Sequence, residues 1–127
     1  MNARTLSLAA VIVIRPEQVA VFEEVARTRF FAALRDHAQF YFAKARELDA
    51  PELDALLHDA VTRAGEYGIV GKREVTLWLN LVFFFGRDFD TEQPWAVAAL
   101  HDARAKSPRI RMSRLYRTAV KQQGAAS

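Results

Sequence analysis

The sequence contains no cysteine, no acidic residue after Asp102 and no apolar run long enough to cross a bilayer, which takes about 20 residues. The missing thiols exclude disulfide frameworks, thiolate metal sites and cysteine nucleophiles. The hydrophobic content of 51% is high enough for a real core and too high for a disordered chain. The length of 127 residues suits one domain, which we predict to span residues 1–127.

The charges are distributed unevenly along the sequence. Residues 1–103 hold 11 Lys/Arg and 15 Asp/Glu, a balance of −4, whereas residues 104–127 hold seven Lys/Arg and no acid. Arg114, Arg117 and Lys121 recur on one helical face of this basic segment. Such a stripe suits solvent, the acidic body of the chain, an acidic protein partner, nucleic acid phosphates or lipid headgroups. No recognition-helix turn accompanies it, so nucleic acid is an alternative and not the main hypothesis.

Apolar residues recur at three- and four-residue steps and predict an all-α fold, a single compact bundle of about five helices. The first and longest helix is expected at roughly 16–48, with Pro16 at its first position, where the missing N–H costs little. The second is expected to begin at Pro51 and to end at Gly65 or Gly68.

The remaining three helices are marked by prolines and capping residues. The third is expected at about 72–85 after a loop rich in glycine. The fourth should begin at Pro94 with Thr91 as a nearby cap, and the fifth at Pro108 with Ser107 as its N-cap.

The segment LWLNLVFFFG, residues 77–86, is apolar on nearly every side. A helix over 72–85 spans only about 21 Å, which is too short for a bilayer core. A helix that is hydrophobic all round is usually central, and Gly86 stands at a natural C-terminal cap. A buried strand is the alternative, but no other segment would pair with it. We therefore predict a central helix with three residues, Trp78, Val82 and Phe83, packed against Phe22, Phe30 and Leu34 of the first helix.

The two ends of the chain fall outside the predicted helices. Residues 1–14 have the outline of a secretory signal, but no small-x-small cleavage site precedes the charged residues that follow. We expect a disordered or docked extended segment there, or a start codon upstream of the native one. Residues 122–127 are expected to fray. The protein is predicted to be cytoplasmic.

The sequence offers no recognised catalytic or metal-binding motif. The glycines of GIVGKRE miss the spacing of a phosphate-binding loop, and no strand precedes them. In DFDTE, residues 88–92, alternating carboxylates suggest a calcium loop, but the required Gly and Glu are absent downstream. Paired carboxylates also suit acid–base chemistry, yet we expect them to cap the helix at Pro94. The histidines lie outside any metal spacing and are expected to be ordinary packed or surface residues: His37, His58 and His101.

Stretches in a fixed order carry a resemblance to a known family: VIRPEQVAVFEEVARTRF, AGEYGIVGKREVTLWLNLVFFFGRDFD, PWAVAAL and RMSRLY. Over about residues 12–120 the chain resembles short, helical, cysteine-poor bacterial proteins encoded in type VI secretion gene clusters. The resemblance implies a cytoplasmic adaptor or chaperone for a secreted effector. Residues 1–11 lie upstream of that family's usual start. The residues that carry it are turn, cap and packing types: Tyr67-Gly68-Ile69, Gly86, Phe89-Asp90, Pro94-Trp95-Ala96 and Leu115.

The chain also has more large aromatic side chains than one small core can take, because a helix buries a stripe only about 100° wide. These are Phe31, Phe40, Phe42, Trp78, Phe84 and Trp95. We therefore predict a non-enzymatic, protein-binding accessory factor without a cofactor. The alternatives are a nucleic-acid-binding module and a self-associating protein such as a homodimer. The predicted partner-binding residues are Trp78, Phe84, Trp95, Arg111, Arg114, Arg117 and Lys121.

Overall fold

The computed structural model describes the backbone of residues 16–126 and the side chains of residues 23–124. Within this range the chain forms seven helices and no strand, which confirms the all-α class with two more helices than expected. The described residues divide after Ala33 into two compact units, and the predicted single domain stays a prediction. The expectations for residues 1–14 lie outside the described residues. The helices are α1 (Pro16–Tyr41), α2 (Ala43–Glu47), α3 (Ala50–Glu66), α4 (Lys72–Phe85), α5 (Phe89–Glu92), α6 (Pro94–Leu100) and α7 (Pro108–Ala126).

The predicted first helix over 16–48 is interrupted at Phe42. This residue has extended backbone angles, φ −125° and ψ 118°, and so separates α1 from α2. The ring of Phe42 stacks on Phe83 with centroids 4.6 Å apart and meets the edge of Phe84 at 5.7 Å. The apolar period continues through the break, so periodicity alone predicted one helix where the structure has two.

Helix α3 begins one residue before Pro51, the predicted start, because Asp49 caps it. The Glu52 N–H donates to the Asp49 carboxylate at 2.9 Å, and the Asp49 N–H donates to the Glu52 carboxylate at 3.2 Å. This reciprocal pair is a capping box. At the other end Gly68 takes a positive φ of 79°, which glycine adopts without strain. The backbone turns there toward the loop that leads to α4.

Helix α4 has the predicted bounds and is central in the second unit, where it contacts α3, α5 and α7. Gly86 ends it with φ 105° and donates its N–H to the Val82 carbonyl at 2.8 Å. Trp78 is fully buried, with its ring centroid 4.8 Å from Phe89 and 5.5 Å from Tyr67. The other buried residues of α4 are Val75, Leu79, Leu81 and Val82.

The predicted burial on α4 is confirmed for two of its three residues. Trp78 and Val82 are buried, whereas Phe83 is only half-buried and stacks on Phe42. The side chain of Phe22 lies outside the described residues, and Phe30 belongs to the first unit. Leu34 is buried, and the predicted packing of α4 against these three residues stays a prediction. No helix in the described part of the chain is long and apolar enough to cross a membrane.

After α4 the chain forms one helix that was not predicted. A short helix, α5, precedes α6, and the Thr91 hydroxyl donates to the Asp88 carbonyl at 3.2 Å instead of capping Pro94. Ser107 caps α7 as predicted, since its hydroxyl accepts the Ile110 N–H at 3.2 Å. Helix α7 extends to Ala126, and fraying of its end stays a prediction. Helices α6 and α7 pack on each other in the second unit.

Candidate functional site

Aromatic rings lie open to solvent at the end of α1 and on the outer side of α4. The exposed fractions are 76% for Phe40, 64% for Tyr41 and 51% for Phe84. Ring contacts connect these side chains. The ring centroid of Tyr41 lies 4.8 Å from those of Phe40 and His37, and that of His37 lies 6.3 Å from Phe42. Phe42 in turn meets Phe84. We call Phe40, Tyr41, Phe42 and Phe84 the aromatic surface.

An apolar cleft adjoins the aromatic surface at Phe84. Its volume is about 480 Å³, and exposed Lys44 and Arg87 stand among its lining residues. Arg87 lies 3.5 Å from Asp59, whereas Lys44 has no ion pair within the described residues. The cleft offers apolar walls with positive charge beside them. The apolar side chains that line it are Leu48, Leu56, Val82, Phe83, Phe84 and Phe85.

A second depression, the basic groove, lies between α6, the following loop and α7. It has a volume of about 870 Å³. Four cationic side chains and one carboxylate line it, so its charge is strongly positive. Because Arg114, Arg117 and Lys121 recur at steps of three and four, one face of α7 presents all three. The lining residues are Trp95, Ala98, Ala99, His101, Asp102, Ala103, Arg104, Arg114, Arg117, Thr118 and Lys121.

Asp102 contacts two of the arginines in the basic groove. Arg104 donates to its two carboxylate oxygens from Nε and Nη2, both at 3.0 Å, and the Arg104 N–H donates at 2.9 Å. These bonds from Arg104 lower the pKa of Asp102 to about 2, so the carboxylate stays charged at physiological pH. Arg114 lies 3.7 Å from the same carboxylate. Arg117 and Lys121 have no ion pair among the described side chains and remain available to a ligand.

The structure brings together four of the seven predicted partner-binding residues. Trp95 and three cations, Arg114, Arg117 and Lys121, line the basic groove, and Phe84 lies on the aromatic surface.

Two of the predicted residues are placed elsewhere. Arg111 is half-buried and donates to the Tyr67 carbonyl at 3.1 Å. Trp78 was wrongly included, because it is fully buried under Tyr67 and Phe89 and cannot touch a partner.

A buried ionic cluster joins α3 to the start of α5. Asp90 is 2% exposed and accepts from Arg63 at 2.7 Å and from the Tyr67 hydroxyl at 2.9 Å. Arg63 also donates to Asp88 at 2.6 Å. The expectation that these carboxylates cap the helix at Pro94 is wrong, because Arg63 binds both Asp88 and Asp90. Arg63 lies far from them in the sequence, so a local sequence pattern does not reveal these contacts.

Because Tyr67 belongs to the cluster, we expect the free energy of unfolding to fall at alkaline pH. Burial, followed by the hydrogen bond to Asp90, raises the pKa of this phenol above its usual 10.0. A raised folded-state pKa contributes stability that is present below the unfolded pKa and is lost as pH rises through the folded pKa. We expect urea unfolding to show a steeper loss of stability above about pH 10 for the wild type than for Tyr67→Phe. Parallel pH profiles for the two proteins would contradict the coupling.

The three histidines do not converge. His37 Nε2 lies 2.8 Å from the Asn80 side-chain oxygen, and the Asn80 amide donates to the Tyr116 hydroxyl at 3.2 Å. His58 Nδ1 lies 2.8 Å from the Asp54 carbonyl, and His101 lines the basic groove. Within the described residues no group of three His, Asp or Glu side chains could hold a metal ion.

No protein-family model, curated protein or solved structure matches this chain. The resemblance to accessory proteins of type VI secretion therefore stays a prediction.

Proposed function

We propose that this chain is a non-enzymatic accessory protein that binds another protein through the aromatic surface. The exposure of Phe40, Tyr41 and Phe84 on one connected set of rings is the observation that carries the proposal. Contiguous exposed apolar patches on soluble proteins mark interaction sites, and aromatic residues are enriched at interface cores.

The energetics favour a protein as the ligand of this surface. Complete burial of a phenylalanine side chain is worth about 1.5–3 kcal/mol, so covering Phe40 and Phe84 gains roughly half to all of that at each ring. The aromatic surface and the neighbouring apolar cleft together present rings, an aliphatic pocket and flanking positive charges. These are the features of an interface core with a polar rim.

The proposal includes the absence of intrinsic catalysis and of a cofactor. The carboxylates closest to a catalytic pair, Asp88 and Asp90, are both held by Arg63. The resemblance directs the choice of partner toward a type VI effector, its adaptor or a spike protein. In that setting the chain acts in the cytoplasm, before secretion, as an adaptor or chaperone.

We expect loss of the exposed rings to abolish partner binding without unfolding the protein. The test co-expresses the chain with the products of neighbouring effector, adaptor and spike genes and measures co-purification. Phe40→Ser/Phe84→Ser should reduce the bound partner at least about tenfold, as expected for two interface anchors. The matched control, Val25→Ser/Val120→Ser, removes two other exposed apolar side chains and should retain the partner. Circular dichroism should show equal helix content in all three proteins.

Other outcomes of the same experiment favour the alternatives. If the wild type forms a dimer and Phe40→Ser/Phe84→Ser is a monomer, the aromatic surface serves self-association and the proposal is wrong. If neither a neighbouring product nor a second copy binds, the protein-binding proposal also fails. Retention on DNA would then favour a nucleic-acid-binding module that uses the basic C-terminal helix.

A further inference from the structure

We infer that the basic groove binds an acidic segment of the protein partner, an inference that rests on the proposed function and names the chemistry of its second contact. The groove contains Arg104, Arg114, Arg117 and Lys121 against the single carboxylate of Asp102. Asp102 is already bound by Arg104 and lies 3.7 Å from Arg114, so it does not neutralise Arg117 and Lys121.

Arg117 and Lys121 define where the ligand's charges must lie. They are four residues apart on α7, so their side chains start about 6 Å apart on one face. Both are exposed and, within the described residues, have no ion pair. Two carboxylates about one helical turn apart would meet both cations, and Arg114 adds a third.

Two stretches of this sequence contain no acidic residue and do not complement the groove. Residues 1–15 contain two arginines and no acid, and residues 103–127 contain no acid either. These two stretches carry the same sign of charge as the groove, and charge complementarity favours an acidic segment of another molecule.

The shape of the groove favours a polypeptide over a nucleic acid. Its lining contains Ala98, Ala99 and Ala103, whose small side chains let a backbone approach closely. Trp95 is the one large aromatic residue among the described lining residues. Its ring meets Phe85 at 4.9 Å and lies 6.5 Å from Phe89, nearly parallel to it, so its surroundings are packed and do not resemble a row of open stacking platforms.

Aromatic contacts link one lining residue of the groove to the aromatic surface. The ring of Trp95 contacts Phe85, and Phe85 lies 6.4 Å from Phe84. A partner that carries carboxylates and apolar side chains offers the former to Lys121 and Arg117 and the latter to Phe84. Acidic residues beside apolar anchors are the chemistry that this surface recognises.

Fluorescence anisotropy of the full chain tests the inference with defined probes. The first is a fluorescein-labelled peptide of about ten residues in which glutamate pairs alternate with leucines, sized to cover the stripe on α7. The second replaces each glutamate by glutamine, and the third is a single-stranded oligothymidine. Titrations are made at an ionic strength of about 0.15 M, where unspecific surface attraction is largely screened.

We expect saturable binding of the glutamate peptide, at least about tenfold weaker binding of the glutamine peptide, and a similar loss for Arg117→Glu/Lys121→Glu. Arg29→Glu/Lys72→Glu makes the same change in net charge at two exposed positions outside the groove and should bind the glutamate peptide within about twofold of wild type. Phe40→Ser/Phe84→Ser keeps the cations of the groove and should still bind the glutamate peptide more tightly than the glutamine peptide.

Contrary outcomes overturn the inference in distinguishable ways. Equal losses of affinity in the two charge-reversal variants would show that the peptide responds to the net charge of the protein and does not bind in the groove. Tighter binding of oligothymidine, lost on Arg117→Glu/Lys121→Glu, would assign the groove to nucleic acid. Self-association that the same variant abolishes would assign it to the acidic body of a second copy. In each case the partner's dependence on Phe40 and Phe84 is measured separately, so the proposed function can stand or fall by itself.

Discussion

Replacing Trp78 by alanine is expected to lower the free energy of unfolding by about 3–5 kcal/mol, a large part of a small protein's stability. The side chain is fully buried on α4 between Tyr67 and Phe89. Its indole N–H has no hydrogen-bond partner among the described residues, so its contribution comes from packing. Urea unfolding followed by circular dichroism measures the change.

The same helix supplies the control for this prediction. Phe84→Ala removes a half-exposed ring and should cost less than about 1.5 kcal/mol, because it loses one edge-on aromatic contact and little burial. Trp78→Phe should fall between the two, since it keeps most of the packing. Equal destabilisation by Trp78→Ala and Phe84→Ala would contradict the assignment of inner and outer sides to α4.

Replacing Arg63 by methionine is expected to cost about 3–5 kcal/mol, because it leaves the buried carboxylate of Asp90 without its counter-charge. The Tyr67 hydroxyl alone would then donate to Asp90. Removing the charge as well, in Arg63→Met/Asp90→Asn, should restore a substantial part of the lost stability. Thermal and urea unfolding of both variants measure the difference.

The exposed pair between Arg35 and Asp54 provides the comparison. Arg35 donates to Asp54 at 2.7 Å, but both side chains are partly open to solvent. Arg35→Met should therefore cost less than about 1 kcal/mol. If Arg63→Met were no more harmful than Arg35→Met, or if Asp90→Asn gave no recovery, the cluster would not be a buried ionic element of the fold.

The parts of the fold that local chemistry determines were predictable from the sequence. Helix α4 has its predicted bounds because Gly71 and Gly86 flank a dense apolar run, and Ser107-Pro108 marks the start of α7. The break at Phe42 was not predictable, because it depends on Phe83 and Phe84, about forty residues downstream. The Asp49 cap is signalled in the sequence by the Asp-x-x-Glu pattern at residues 49–52, which moves the start of α3 one residue before Pro51.

For the candidate site, the sequence predicted several of the residues but not how they are arranged. The charge count and the spacing of Arg114, Arg117 and Lys121 indicated a basic face, and the structure places Trp95 and Arg104 beside this face to form the groove. Which aromatic residues stay outside could not be read from periodicity, because α4 is apolar on nearly every side. Trp78 and Phe84 are six positions apart on that helix, yet one is the centre of the core and the other faces solvent.

Hydroxyl-radical footprinting of the chain alone and in complex with its co-purified partner tests most directly whether the aromatic surface is the contact site. We expect Phe40, Tyr41 and Phe84 to be oxidised in the free protein, protected in the complex, and Val120 to be oxidised equally in both. Equal oxidation of the three aromatic residues in the free and bound states, with protection elsewhere, would contradict the proposal.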